Sequence, residues 1–237
     1  MNKKEKKHLE NIAYDSWYAK GANYASILYS EKIFERHLNE GSVLELGPAE
    51  GVMTKNLMTK FSDYTVVEGS SFFCNKLKAQ NPKLKVFNSL FEDFNPKKKY
   101  DNILLGHVLE HVLYPVQILL KVKNWLSING KILAAVPNAN SIHRQAAVMM
   151  GILKTKYDLN ESDIHHGHRR VYDLASFKND FIKAELKIVT IGGYWIKPVS
   201  NKQIEKTWTE NMLNAFMKLG EQYPDIAAEI YIIATKN

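Results

Sequence analysis

The sequence predicts a doubly wound α/β fold, a mostly parallel seven-stranded sheet with helices before it and a helical insert within it. Three observations lead there. Seven short apolar runs recur along the 237 residues. Amphipathic stretches with helical spacing separate most of them. The runs are apolar throughout rather than alternating, as in parallel strands covered on both faces by crossover helices.

The elements follow in order. Residues 5–20 and 24–39 carry apolar side chains at helical spacing, and Glu40-Gly41 supplies a stop. This divides the chain into an N-terminal helical lid (1–40) and a main domain (41–237). Strands are expected at SVLELG (42–47), YTVVEG (64–69), KVFN (85–88), NILLGH (102–107), KILAAVP (131–137), KIVTIGG (187–193) and EIYIIAT (229–235). VMTKNLMTKF and PVQILLKVKNWL read as helices between them. The last run ends a long, partly helical tail and suits an antiparallel strand slotted into a mixed sheet. Residues 138–172 have no strand pattern, and an insertion of that length usually covers a site.

Composition narrows the function. No run approaches the roughly 18 apolar residues of a membrane helix, and the lysine-rich start is not expected to be a secretory signal. Cys74 is the only cysteine, which excludes an internal disulfide and a cysteine-based metal site; a cytoplasmic home is expected. The net charge of +7 gathers largely in Lys3-Lys4-Glu5-Lys6-Lys7 and Lys97-Lys98-Lys99. These read as solvated segments rather than a nucleic-acid surface.

In such a sheet, ligands sit beyond the carboxyl ends of the strands. Gly47 and Gly51 of VLELGPAEG bracket the turn out of the first strand, where a glycine permits a close approach of ligand to backbone. A dinucleotide fingerprint needs a central glycine and favours a pyrophosphate at the helix N-terminus. Here Pro48-Ala49 and Glu50 occupy that turn, which suits a ligand with an ammonium group better. Glu68 ends the second strand, where a carboxylate can accept both hydroxyls of a ribose.

VLELGPAEG, VVEGS and NILLGHVLEHV in this register resemble the class I S-adenosylmethionine-dependent methyltransferases, of the small bacterial kind related to ubiquinone-type O-methyltransferases. The resemblance runs from Leu44 to Pro137, with an echo at HGHRRVYDLASF (166–177). It implies a Rossmann-like methyltransferase fold and S-adenosylmethionine as cofactor, with S-adenosylhomocysteine as product. It implies that Glu45, Gly47, Pro48, Ala49 and Gly51 line the methionine end of the cofactor and that Glu68 holds the ribose, with Gly69 and Ser70 beside the adenosine. Leu90 and Phe91 are then expected to flank the adenine, Glu92 to reach its amino group, and Gly106, His107 and Val108 to pass near the sulfonium.

The acceptor is open. The D/N-P-P-Y/F motif of DNA amino-methyltransferases is absent after the fourth strand, and Cys74 is misplaced for a cytosine-C5 nucleophile, so nucleic acid is disfavoured. Six of the eight histidines lie between His107 and His168, and histidine is suited to proton exchange near neutral pH. His111, His165, His168 and Arg170 are the candidate catalytic residues. His165, His166, His168, Arg169 and Arg170, with Tyr172 nearby, are expected to face an anionic small-molecule acceptor, since arginines clamp phosphate or carboxylate. Asn138, His143 and Arg144 are placed at the same pocket mouth, and no metal is expected. Tyr14, Trp17, Tyr18 and Tyr24 either close over the cofactor or pack an apolar helix face. The reading is O-methylation of a nucleotide-linked sugar or a phosphorus-bearing polysaccharide precursor. Its rivals are an NAD-dependent oxidoreductase on the same sheet and a non-catalytic cofactor- or RNA-binding domain.

Overall fold

The computed structural model describes residues 3–16 and 18–236. Two helices, α1 (Lys3–Tyr14) and α2 (Gly21–Glu35), precede the sheet. They end earlier than the apolar spacing suggests: α1 gives way to a turn at Asp15, and α2 stops at Glu35, five residues before Glu40. The strands are β1 (Val43–Leu46), β2 (Tyr64–Glu68), β3 (Lys85–Asn88), β4 (Tyr100–Gly106), β5 (Leu126–Pro137), β6 (Leu186–Tyr194) and β7 (Glu229–Lys236). They form one seven-stranded sheet in the order β3-β2-β1-β4-β5-β7-β6. β1 to β5 pair in parallel, and β7 runs antiparallel between β5 and β6.

Alternation inside the apolar strands explains the two-faced core. Leu44, Leu46, Ile103, Leu105, Ile132, Ala134, Ile230 and Ile232 pack on one face. There they meet helix α5 (Pro115–Trp125) through Ile118, Leu119 and Val122, and helix α8 (Leu174–Lys183) through Phe177 and Phe181. Val43, Val66, Leu104, Leu133, Ala135 and Ile233 pack on the other, against Ile33 and Phe34 of α2 and Leu57 of helix α3 (Val52–Leu57). Burying a side chain such as these contributes about 1.5–3 kcal/mol, so both helical layers are anchored by the sheet.

The remaining helices are α4 (Ser71–Gln80), α6 (Ile142–Met149), α7 (Glu161–His165), α9 (Asn201–Thr207) and α10 (Glu210–Gly220). α6 and α7 make up the insert, whose ends are closed by a bridge between Asn138 and Tyr172. Asn160 caps α7 through a reciprocal pair with Asp163, which fixes the start of the histidine segment. No helix among the described residues is long and apolar enough to cross a membrane.

Candidate active site

The first turn builds one wall of the site. Gly47, Ala49 and Gly51 all have positive φ, at 64°, 47° and 77°, a run that turns backbone groups of the loop toward a ligand. A side chain at Gly51 would be strained by its φ, and its Cβ would have to push Leu77 Cδ2 aside from 2.5 Å. Glu45 sits beneath the loop, accepting from Thr54 Oγ1 (2.5 Å) and from Tyr64 OH (2.8 Å). Burial pushes its carboxyl up to about 7 against those two donors.

Glu68, at the end of β2, accepts from the amides of Ser70 (2.8 Å) and Ala49 (3.2 Å). It thereby ties the second turn to the first. Burial raises its carboxyl to about 7, and the amide hydrogen bonds hold it down only in part. α1 crosses this junction: Glu10 accepts from Ser70 Oγ (2.8 Å) and from the Ser71 amide (2.6 Å).

The third part is the turn after β4. His107 has φ 57°, a strained conformation for a residue with a side chain. Its Nε2 lies 3.2 Å from Tyr194 OH. Its Nδ1 lies 3.5 Å from Glu110 Oε1 and 3.8 Å from Glu229 Oε2. Burial opposes charge on this ring, but the two carboxylates outweigh it and raise its pKa. Burial pushes His111 the other way, down to about 3, so its imidazole is neutral at working pH.

The insert completes the enclosure. His168 donates through Nδ1 to Asp163 Oδ1 at 3.1 Å, and the other Asp163 oxygen accepts from Arg144 Nη1 at 3.0 Å. Its ring meets that of His111 edge to face, with centroids 4.7 Å apart. Tyr18 reaches across from the N-terminal segment, donating to the His166 carbonyl (2.7 Å) and stacking on the His166 ring at 4.7 Å.

One cavity of about 230 Å³ joins these parts. Thirteen of the fourteen residues expected at the cofactor line it: Glu45, Gly47, Pro48, Ala49, Glu68, Gly69, Ser70, Leu90, Phe91, Glu92, Gly106, His107 and Val108; Gly51 does not. Of the four candidate catalytic residues, His111 and His168 line it. His165 and Arg170 do not. His165 Nε2 lies 3.0 Å from the Asp15 carbonyl instead. Arg170 is spent on the chain itself, donating to the carbonyls of Leu109 (2.8 Å), Val112 (2.5 Å) and Leu113 (3.1 Å). Arg169 likewise donates to the His111 carbonyl (2.6 Å) and to both oxygens of Glu5 (2.8 and 2.9 Å).

The expected anion clamp is therefore a brace. Among the described residues no lysine or arginine lines the cavity, whereas seven glutamates do. Arg144 and Asn138 are also structural, the latter donating to the Ala227 carbonyl at 2.8 Å. Tyr172 turns its hydroxyl to Asp180 at 2.8 Å. His143, expected at the pocket mouth, does not line the cavity. Of the aromatic cluster, Tyr18 lines the cavity, Tyr14 and Tyr24 are exposed, and Trp17 lies outside the described residues.

Sequence reasoning missed Glu110, Glu229 and Asp163. Glu110 was legible in VLEHV as an acid between apolar residues beside a histidine; Glu229 and Asp163 had no local signal. Glu110, His111 and His168 also offer donor atoms within 4.8 Å of one another, a candidate cation site.

The lining fits S-adenosylmethionine. The glycine turn admits a ligand against the backbone, Glu68 faces the cavity with an ionisable carboxyl, and the acidic wall suits a ligand carrying a sulfonium and an ammonium. A family model described as a methyltransferase domain matches residues 18–191. The ubiquinone biosynthesis O-methyltransferase of Rickettsia typhi is 25% identical over 173 residues, covering 67% of this chain and 69% of that protein. The fold is shared with an S-adenosylmethionine-dependent methyltransferase of Thermotoga maritima described as a possible histamine N-methyltransferase (TM-score 0.67, 15% identity, 94% of each chain). It is also shared with the N-methyltransferase NodS of Bradyrhizobium japonicum in complex with S-adenosylhomocysteine (TM-score 0.63, 10% identity, 98% of this chain and 97% of that one).

Proposed function

The chain belongs to the methyltransferase domain family, and from that premise we propose that it methylates a hydroxyl or amine of a small acceptor without negative charge, with His168 taking the acceptor's proton. It is an S-adenosylmethionine-dependent methyltransferase. When bound, the cofactor supplies an electrophilic methyl group on a good, neutral leaving group, so the chain's task is to position the acceptor and manage its proton.

The observation that carries the reading is one cavity lined together by Glu68, Gly47 and Ala49 of the first turn, and His168. Glu68 is the group proposed to hold the ribose hydroxyls. Gly47, Pro48, Ala49 and Gly106 are proposed to shape the methionine end, and Leu90, Phe91 and Glu92 the adenine end. Asp163 holds the Nδ1 side of His168, which favours a free Nε2 toward the cavity. α1 and Tyr18 are proposed as the lid: Leu9, Ile12 and Tyr18 close the cavity from the N-terminal side, and excluding water there strengthens every charge interaction inside.

The anionic acceptors expected from the sequence, nucleotide sugars and phosphorus-bearing polysaccharide precursors, draw no support from this wall. A phosphate would face glutamates with no arginine or lysine to meet it. The test is calorimetric titration with S-adenosylhomocysteine, followed by transfer of a labelled methyl group to acceptors sorted by charge. Micromolar binding with transfer to neutral or cationic acceptors supports the reading, and transfer to anionic acceptors alone removes the charge assignment.

A further inference from the structure

Glu110 is fully buried, and neither of its carboxylate oxygens makes a well-formed hydrogen bond, the nearest nitrogens being His107 Nδ1 at 3.5 Å and His111 Nε2 at 4.0 Å. Glu229 Oε2 is likewise buried without one. Both residues line the cavity, and both reach the same atom: His107 Nδ1 lies 3.5 Å from Glu110 Oε1 and 3.8 Å from Glu229 Oε2. That nitrogen carries at most one proton, and the other ring nitrogen is engaged with Tyr194 OH. His107 therefore answers one carboxylate at most. Lys197, whose charge is felt at Glu229, holds its ammonium over the Trp195 ring at 4.9 Å and does not line the cavity.

Leaving a buried carboxylate without donors is among the costliest arrangements in a protein interior. It persists where a ligand supplies what is missing. A hydroxyl brings one donor and no charge, whereas an ammonium brings three donors and a positive charge. We propose that Glu110 and Glu229 form the acceptor's charge-recognition site and that the acceptor is a primary or secondary amine, bound as its ammonium ion. This rests on the methyltransferase reading above and names its substrate class.

The chemistry balances with the groups present. One ammonium proton passes to His168 before attack, which leaves a nitrogen lone pair. That lone pair forms the new N–C bond while the C–S bond breaks and its electron pair leaves on sulfur. The nitrogen, now a methylammonium, keeps the positive charge and its remaining N–H groups beside Glu110 until the product leaves, and His168 then gives its proton to solvent. A divalent ion at Glu110, His111 and His168 is the competing occupant. It leaves Glu229 unanswered, whereas an ammonium with several N–H donors can serve both carboxylates.

The experiment titrates the protein loaded with S-adenosylhomocysteine with a series of primary amines from ethylamine to phenethylamine, the matching alcohols and the matching carboxylates, with EDTA present. Amine binding at least tenfold tighter than the best alcohol is expected. Glu110→Gln and Glu229→Gln should each weaken it tenfold or more while S-adenosylhomocysteine affinity, the check on folding, is kept. The inference is overturned by alcohols or carboxylates binding as tightly, by amine binding undiminished in both variants, or by no amine binding at all. Amine binding that EDTA abolishes and manganese restores also overturns it, in favour of a metal at the same residues. Failure of the wild-type protein to bind S-adenosylhomocysteine overturns instead the reading on which the inference rests.

Discussion

Asp163 and His168 lie five residues apart on either side of a tight turn, with Oδ1 and Nδ1 3.1 Å from one another. The turn is made by Gly167, whose φ of 78° only a glycine adopts without strain. Asp163 is itself held by Arg144 and by the Asn160 amide. Burial acts to raise its carboxyl, but His168, the Asn160 amide and Arg144 bring it down to about 2. It is thus a fixed negative charge that selects which nitrogen of His168 carries a proton.

This arrangement predicts a large kinetic effect with little effect on binding. Asp163→Asn should lower kcat by about 10²–10⁴, the range for losing a positioned general base or its tautomer. His168→Gln should match it, and S-adenosylhomocysteine affinity should stay within about twofold in both. Steady-state kinetics with calorimetry decides the matter. A change confined to KM would show that His168 binds the acceptor and leaves its proton alone.

Arg170 predicts the opposite pattern. Its guanidinium donates to three carbonyls of the loop that carries Glu110 and His111, and such charged hydrogen bonds are worth about 1.5–3 kcal/mol. Arg170→Ala should destabilise the protein by about 2 kcal/mol, a fall in Tm of about 4–8 °C for a chain of this size. Arg170→Lys should recover little, because one ammonium does not span three carbonyls. A thermal melt checks both. An unchanged Tm with a raised acceptor KM would restore the anion-clamp role.

How much of this was legible depends on whether the signal was local. The seven strands were readable because parallel strands buried on both faces leave continuous apolar runs. The cavity wall made by the first two turns was readable because Gly47 and Glu68 lie within a few residues of their own strand ends. The acceptor end was not. Arg169 and Arg170 look like an anion site in HGHRRVY, and only the packing of the insert onto residues 109–113 reveals that backbone carbonyls consume them. Glu229 opens the last strand and comes beside His107 only because β7 inserts between β5 and β6. No spacing rule in the sequence links positions 107 and 229.

The proposed lid turns on Tyr18. Its ring stacks on His166 and its hydroxyl donates to the His166 carbonyl, so it holds the N-terminal segment to the insert together with Glu5 on Arg169 and Asp15 on His165. Tyr18→Ala should speed S-adenosylhomocysteine release several-fold, and Tyr18→Phe should do so by less, since stacking survives. Stopped-flow displacement measures this. Equal release rates in all three proteins would remove the lid assignment.

The last prediction concerns pH and turns on Glu68. Burial lifts its carboxyl from an ordinary 4.5 to about 7, with the Ser70, Ala49 and Gly69 amides pulling the other way. The folded protein therefore holds a proton between pH 4.5 and 7 that the unfolded chain has released. Stability from this group is present below about 4.5 and is lost as pH rises through about 7. Ligand binding runs the other way, because ribose hydroxyls donate best to the ionised carboxylate. Affinity for S-adenosylhomocysteine should rise by up to about tenfold per unit from pH 5.5 toward 7 and then level off. Glu45, also raised to about 7, and His107 titrate in the same cavity, while His111 and His166, lowered by burial to about 3 and 4, do not change charge in this window. Glu68→Gln separates these contributions: it should bind more weakly at pH 8 and lose most of the slope. Calorimetry across pH 5.5–8 on both proteins is the check. A slope retained in Glu68→Gln would move the titrating group to Glu45 or His107 and take the ribose contact away from Glu68.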